Sequence, residues 1–160
     1  MRIIIAGAGE IGSHLAKMLS MEYHEITVIS PDPESLEDLA SDSDIVTVVG
    51  HPTSIETLVQ AGTGSADLFI AVNPDSEQDI NIVSAALAKK LGAKKVTARI
   101  NNEEYQKNDN RILFTDLGID SLFYPEKIAA TEIVNLLKQN NASEFMNYSH
   151  GKLQRIVYRL

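Results

Sequence analysis

The stretch "IIIAGAGEIGSHL" (Ile3–Leu15) decides the fold. Three isoleucines run into a turn where Gly7, Gly9 and Gly12 stand in the spacing G-x-G-x-x-G, and an amphipathic segment follows. Each glycine has a separate physical task. Gly7 permits a tight turn out of the strand, Gly9 lets the backbone approach a pyrophosphate, and Gly12 allows a helix to pack closely on the sheet. The helix that starts there offers unpaired N–H groups and the positive end of its dipole to an anion. Glycine triplets alone also occur in tight turns whose site is unused. Placed between a strand and a helix, at the start of a βαβ unit, this triplet favours nucleotide binding.

Outward from the glycine turn the same rhythm repeats. The short runs "RIIIAG", "EITVIS", "SDIVTVVG", "ADLFIAV", "KKVTARI" and "DSLFY" are each followed by a segment with helical spacing. Several are almost continuously apolar, as strands covered on both faces must be. Helical periodicity places Ile11, Leu15 and Leu19 on one face of the first helix, with Ala16 and Met18 beside them. It groups Ile55, Leu58 and Val59 in the third helix, and Ile80, Val83, Leu87 and Leu91 in the fourth. Gly92 follows as a helix stop. Six strand–helix units of this kind predict a Rossmann-like, doubly wound α/β fold: a parallel six-stranded sheet in three layers. "NNEEYQKNDNRILFTDLG" reads as a polar surface helix before the sixth strand. Residues 1–139 are expected to form the nucleotide-binding domain. Residues 140–160 read as a small-polar linker followed by a strand, "LQRIVYRL", with no helix after it, as if a further element begins there in a longer protein.

Composition sets limits on function. The 160 residues carry a formal net charge of -8, which repels a phosphate backbone and disfavours nucleic-acid binding. With no cysteine there is neither a disulfide framework nor a thiolate site. No apolar run approaches the roughly 20 residues needed to span a bilayer, so a connection to a membrane runs through a partner.

The second strand, "EITVIS", ends on Ser30, where a ribose-binding carboxylate is expected about 20 residues beyond the glycines. The nearest acid is Asp32, in "SPDPES". It suits the N-cap before Pro33, and the competing reading is a ribose contact, alone or in addition to the cap. No arginine or lysine lies between Lys17 and Lys89, so a clamp for a 2′-phosphate is hard to build locally. Arg99 ends an interior strand, where an unpaired cation would be costly, and it calls for a carboxylate or phosphate partner.

With these residues placed, the chain resembles the N-terminal nucleotide-binding domain of TrkA-like potassium-uptake regulators, the RCK or KTN domains that gate potassium channels and transporters. The likeness rests on "IIIAGAGEIGSHLAKML", "ITVIS" with Pro31 and Asp32, and "VVGHPTSIETLVQAG". It continues through "ADLFIAVNPDSEQDINIVSAALAKKLGAKKVTARI" and "LGIDSLFYPEKIAATEIVNLL". The resemblance implies a phosphate loop of Gly7, Ala8, Gly9, Glu10 and Ile11. It implies that Ser30 and Asp32 face the ribose, and that Gly50, His51, Pro52 and Thr53 lie near the adenine. Asn73 would begin the loop after the fourth strand, and Arg99 would sit near the phosphates or a dimer-related site. Ser30 departs from the family's usual acid, which leaves NAD(H), the first choice of ligand, in competition with ATP or ADP. Asn73 and Ser76 stand where related sequences often have Thr and Asp. Local readings compete at some positions: His51 as a plain loop residue, and Thr53 as the N-cap of "SIETLVQAG", with Glu56 completing a capping box.

Catalysis finds no support in the chain. His14, His24, His51 and His150 lack an obvious acid partner in sequence, and no metal-ligand spacing occurs. The alternative reading is the cofactor domain of an NAD(P)-dependent oxidoreductase. The favoured one is a non-enzymatic, nucleotide-responsive subunit, cytoplasmic and held at the inner face of the membrane by a potassium transporter subunit. The resemblance further implies a homodimer, or a higher oligomer, through the sixth strand and the helix "PEKIAATEIVNLLKQ". That helix carries Ile128, Ile133, Leu136 and Leu137, which also suit an ordinary core helix.

Overall fold

The first strand, β1 (Arg2–Ala6), explains the layering. Alternate side chains of a strand point to opposite faces. Ile3 and Ile5 enter one buried cluster, and Ile4 and Ala6 enter another. The structure, a computed structural model, describes residues 1–42, 44–138, 144–148 and 153–157. They form two compact units, Met1–Tyr124 and Pro125–Leu160.

In the first unit β1 is followed by α1 (Glu10–Met21), β2 (Glu25–Ser30), α2 (Pro33–Asp42), β3 (Ile45–Val49), α3 (Ile55–Gln60) and β4 (Leu68–Ala71). Then come α4 (Gln78–Leu91), β5 (Lys95–Arg99), α5 (Asn108–Asp116) and β6 (Ser121–Phe123). The sheet order is β3-β2-β1-β4-β5-β6, and every pairing is parallel. The order reverses between β1 and β4, which is where an open α/β sheet opens a crevice at its carboxyl edge. All six strands lie where the apolar runs predict them, and the fold is Rossmann-like, as expected.

Helices cover both faces. Ala16 of α1 and Leu36 and Leu39 of α2 pack with Ile3, Ile5, Val28 and Ile70. Leu58 of α3 and Ala85 and Ala88 of α4 pack with Ile4, Phe69, Val96 and Ala98. Three helix faces differ from the sequence reading. In α1, Ile11, Leu15 and Leu19 pack as expected, but Met18 is exposed. In α3 only Leu58 of its trio is buried; Ile55 and Val59 face solvent, because six residues make under two turns and one side meets the sheet. In α4 the buried stripe is Asn81, Ser84, Ala85 and Ala88, while Val83 is exposed. Small side chains let this helix sit close to β4 and β5, and the larger Leu87 and Leu91 lie at the margin.

The second unit contains α6 (Pro125–Lys138) and an antiparallel hairpin, β7 (Glu144–Tyr148) with β8 (Leu153–Val157), in register from Glu144↔Val157 to Tyr148↔Leu153. The strand read in "LQRIVYRL" is β8. "EFMNY", read as part of a linker, is its partner β7; a five-residue strand gains its identity from pairing, which the sequence does not display. The expected linker start at 140–143 and His150 lie outside the described residues.

Candidate functional site

The carboxyl edge of the sheet is stitched together by the backbone beyond the strands. Gly7 N donates to Ile29 O at 2.9 Å, Gly50 N to Ser30 O at 2.9 Å, and Val72 N to Ala6 O at 2.8 Å. The turns after β1, β2, β3 and β4 therefore share one rim.

On that rim the three glycines differ in what surrounds them. Gly7 has φ 117°, a region closed to most side chains, and a Cβ there would lie 2.8 Å from Asn73 N. At Gly12 a Cβ would collide with the carbonyl oxygen of Gly7 and press on Val72. At Gly9 a Cβ would meet nothing nearer than Pro74 Cγ, 4.0 Å away. Gly7 and Gly12 are glycines for packing, and Gly9 leaves an open approach to the backbone. Gly9 is also the N-cap of α1 and supplies no side-chain acceptor, so the first-turn N–H groups face that opening. Ser13 steadies the turn: its N–H donates to Gly9 O and its Oγ to Ala8 O.

Above Gly9 lies a cavity of about 290 Å³, lined by Gly9, Glu10, Ile11, Val72, Pro74 and Arg99. It brings the glycine turn, the β4 loop and the end of β5 together. Arg99, only 9% exposed, contributes a cation to the same space as the helix N-terminus. Exposed Glu10 adds one negative charge at the mouth. The volume suits a pyrophosphate and its immediate neighbours rather than a whole dinucleotide. A second depression, about 350 Å³, lies at the opposite edge, among Arg2, Glu25, Asp44 and Gly62. It meets the amino ends of the strands, away from the glycine turn, and we give it no part in the site.

Further along the rim, Ser30 is buried and its Oγ accepts the N–H of Asp32 at 3.1 Å. Asp32 caps α2, with Oδ1 accepting from Glu34 N at 3.2 Å and Oδ2 from Ser35 N at 3.3 Å. After β3, a Cβ on Gly50 would clash with the Thr57 side chain, so the chain can turn there only as glycine. Pro52 is buried and His51 exposed. His51 Nδ1 lies 2.8 Å from Thr53 Oγ1 and accepts the N–H of Thr53 at 3.4 Å. The N-cap of α3 is Ser54, whose Oγ accepts from Thr57 N at 3.4 Å. This corrects the expected Thr53 cap: Thr53 is held by His51 instead.

Asn73 is buried in a clasp with Asn81. Asn81 Oδ1 accepts from Asn73 N at 2.8 Å and from Asn73 Nδ2 at 2.9 Å, and Asn81 Nδ2 donates to Asn73 O at 3.2 Å. Asn73 thus holds the loop that walls the cavity. Gln78, at the start of α4, accepts from both Asn101 N (2.9 Å) and Asn102 N (3.0 Å), latching the loop after β5 to the same helix. Neither Asn81 nor Gln78 was singled out from the sequence. The available signal was a polar residue at the head of the small-residue spacing 81, 84, 85, 88. Among the described residues no group of three or more His, Asp or Glu side chains is arranged to hold a metal ion.

Comparison with known proteins agrees with this fold. A Trk system potassium uptake protein TrkA homolog from Archaeoglobus fulgidus is 38% identical over 98% of this chain and 35% of its own length. The TrkA of Haemophilus influenzae is 31% identical over 99% of this chain and 35% of its own. The chain therefore spans about a third of the length of these relatives. Among solved structures, the TrkA-N domain of the inner membrane protein ybaL from Escherichia coli superposes with a TM-score of 0.71 at 20% identity, covering 85% of this chain and 96% of that one. A GsuK channel bound to NAD superposes at 0.66 and 18% identity, covering 96% and 26%. The Kef CTD of Shewanella denitrificans in its AMP-bound form does so at 0.64 and 20%, covering 88% and 83%. The TrkA-N domain model matches residues 3–125, from the first strand through the last strand of the sheet, and the chain belongs to that family.

Proposed function

We propose that this chain is a nucleotide-binding regulatory module that controls potassium uptake through a membrane transporter or channel, and that it catalyses no reaction of its own. The observation that carries the reading is the opening at Gly9. A glycine without packing reasons stands at an uncapped helix N-terminus, beside the Arg99 cation, in a cavity of pyrophosphate size. Backbone N–H groups and the helix dipole would hold the phosphates, and Arg99 would offset their charge. Gly7, Ala8, Glu10 and Ile11 shape that loop. Ser30 and Asp32 border the ribose, and Gly50, His51, Pro52 and Thr53 border the adenine. Asn73 supports the wall. NAD(H) is the first ligand to test, with ATP and ADP as alternatives. The relatives' names support the link to potassium, and the NAD-bound and AMP-bound neighbours support an adenine nucleotide.

Residues 1–139 act as the binding domain. The module works as a homodimer at the cytoplasmic face, joined through β6 and α6, and reaches the membrane through its transporter partner. Among the described residues no helix is long and apolar enough to cross a membrane. A nucleotide regulates such a module only through its differential affinity for two states.

Calorimetric titration with NADH, NAD, ATP and ADP tests the binding. Potassium uptake in cells carrying the full-length protein with Gly9→Ala tests the control, with nucleotide-dependent uptake expected to be lost. Turnover of a nicotinamide cofactor with any of a panel of hydroxy or keto acids would sink the regulatory reading. Failure to bind any adenine nucleotide would reduce the fold to a scaffold.

A further inference from the structure

We infer that the site does not read the 2′-hydroxyl of its nucleotide: it takes adenine nucleotides by phosphate and base, accepts ribose and 2′-deoxyribose alike, and disfavours a 2′-phosphate. The inference rests on the nucleotide reading above. In a fold of this kind the ribose is gripped by a carboxylate at the end of the second strand, which accepts from its hydroxyls. Here that place holds Ser30, 5% exposed.

The side chains around it satisfy one another. Ser35 Oγ spends its hydrogen on Asp32 O at 2.9 Å. In the 3.4 Å contact between the two serine hydroxyls, Ser30 is then the donor and Ser35 the acceptor. Ser30 Oγ also accepts the N–H of Asp32. Its hydrogen and one lone pair are thus used before any ligand arrives. Asp32, the nearest acid, has one oxygen on Glu34 N and the other on Ser35 N. Turning it towards a ribose would strip two first-turn N–H groups of α2 of their acceptor. The group that would read the sugar has become part of a helix cap.

A 2′-phosphate meets the opposite problem. No lysine or arginine occurs between Lys17 and Lys89, so neither β2, α2, β3 nor α3 carries one. Asp32 and exposed Glu34 place negative charge at this corner, and like charges repel.

Matched ligands test the inference on the full-length protein by calorimetry: ADP against 2′-deoxy-ADP, NAD against its 2′-deoxyadenosine analogue, and NAD against NADP. We expect each deoxy member to bind within about threefold of its partner, and NADP to bind about tenfold or more weakly than NAD. A working carboxylate–hydroxyl bond would instead cost the deoxy ligands about tenfold or more. A loss beyond threefold for either deoxy ligand, or equal binding of NADP, overturns the inference and leaves the nucleotide reading standing. No binding by any of these ligands overturns both.

Discussion

At Gly9 a methyl group would enter open space, whereas at Gly12 it would strike the Gly7 carbonyl, so the two positions have opposite packing demands. Gly9 has φ -68° and ψ -177°, which alanine adopts freely. Gly9→Ala should therefore leave thermal stability almost unchanged, within about 0.5 kcal/mol, as for a substitution away from packing. It should weaken nucleotide binding by about tenfold or more, because a methyl group displaces the phosphate from the N–H groups. Gly12→Ala should destabilise the fold by roughly 3 kcal/mol through overpacking against backbone that cannot yield. Urea unfolding and calorimetry on the two variants check both halves. A Gly9→Ala protein that unfolds while Gly12→Ala does not would reverse the assignment. The local sequence made this triad legible as a motif. Which glycine leaves its backbone open and which packs against the chain became visible only from their neighbours.

At the scale of the element, α4 is the part that sequence patterning reads least well. Its apolar residues suggest a stripe through Ile80, Val83, Leu87 and Leu91, yet the side that meets the sheet is Asn81, Ser84, Ala85 and Ala88. Close packing on a sheet selects small side chains, and Asn81 is tolerated because its side chain bonds Asn73 through both Oδ1 and Nδ2. Replacing it with leucine leaves the buried N–H and C=O of Asn73 without those partners. Each orphaned group costs about 1–3 kcal/mol, so Asn81→Leu should lose roughly 3 kcal/mol or more in urea unfolding. A loss under about 0.5 kcal/mol would show that the clasp is dispensable. The short helix α3 teaches the same lesson: Val59 looks like a core residue beside Leu58 and is exposed. Periodicity identifies a helix and its approximate stripe, but the partner surface decides which flank of the stripe is used.

On the scale of the whole molecule, two ion pairs fasten segments distant in sequence, and both set an acid limit. The Lys94 ammonium, 2.7 Å away, and the N–H of Arg2 hold the Asp67 carboxyl below its ordinary range. Burial pushes the Asp120 carboxyl up, but Lys89 and the N–H of Val96 outweigh it and the net shift is downward. A carboxyl whose folded value is depressed stabilises the protein above its unfolded value, about 3.9, and the benefit is lost as pH falls through the folded value. Stability should hold from neutral pH down to about 5 and decline below about 4, and Asp120→Asn should flatten that decline. Chemical unfolding at a series of pH values measures it; an unchanged acid slope in the variant would exclude Asp120 as a source. In the second unit, α6 exposes Ile128, Ile133, Leu136 and Leu137. If these side chains join two copies, Ile133→Glu with Leu136→Glu should convert a dimer to a monomer in sedimentation while leaving the circular dichroism intact. A dimer that persists would place the interface elsewhere.

The sequence by itself determined the order of strands and helices, the parallel sheet and the glycine turn, because period-two and period-3.6 patterns and glycine spacing are local physics. Arg99 was also legible, as a cation at the end of a buried strand. Tertiary structure alone decided that Arg99 shares a cavity with Gly9, that Asn81 clasps Asn73 and that Gln78 holds the loop after β5, since each joins segments the chain separates. It also showed the cap role of Asp32, which the sequence offers beside a ribose contact. A residue beside a strand end can face a ligand or a helix, and the hydrogen bonds to Glu34 and Ser35 assign its carboxylate to α2.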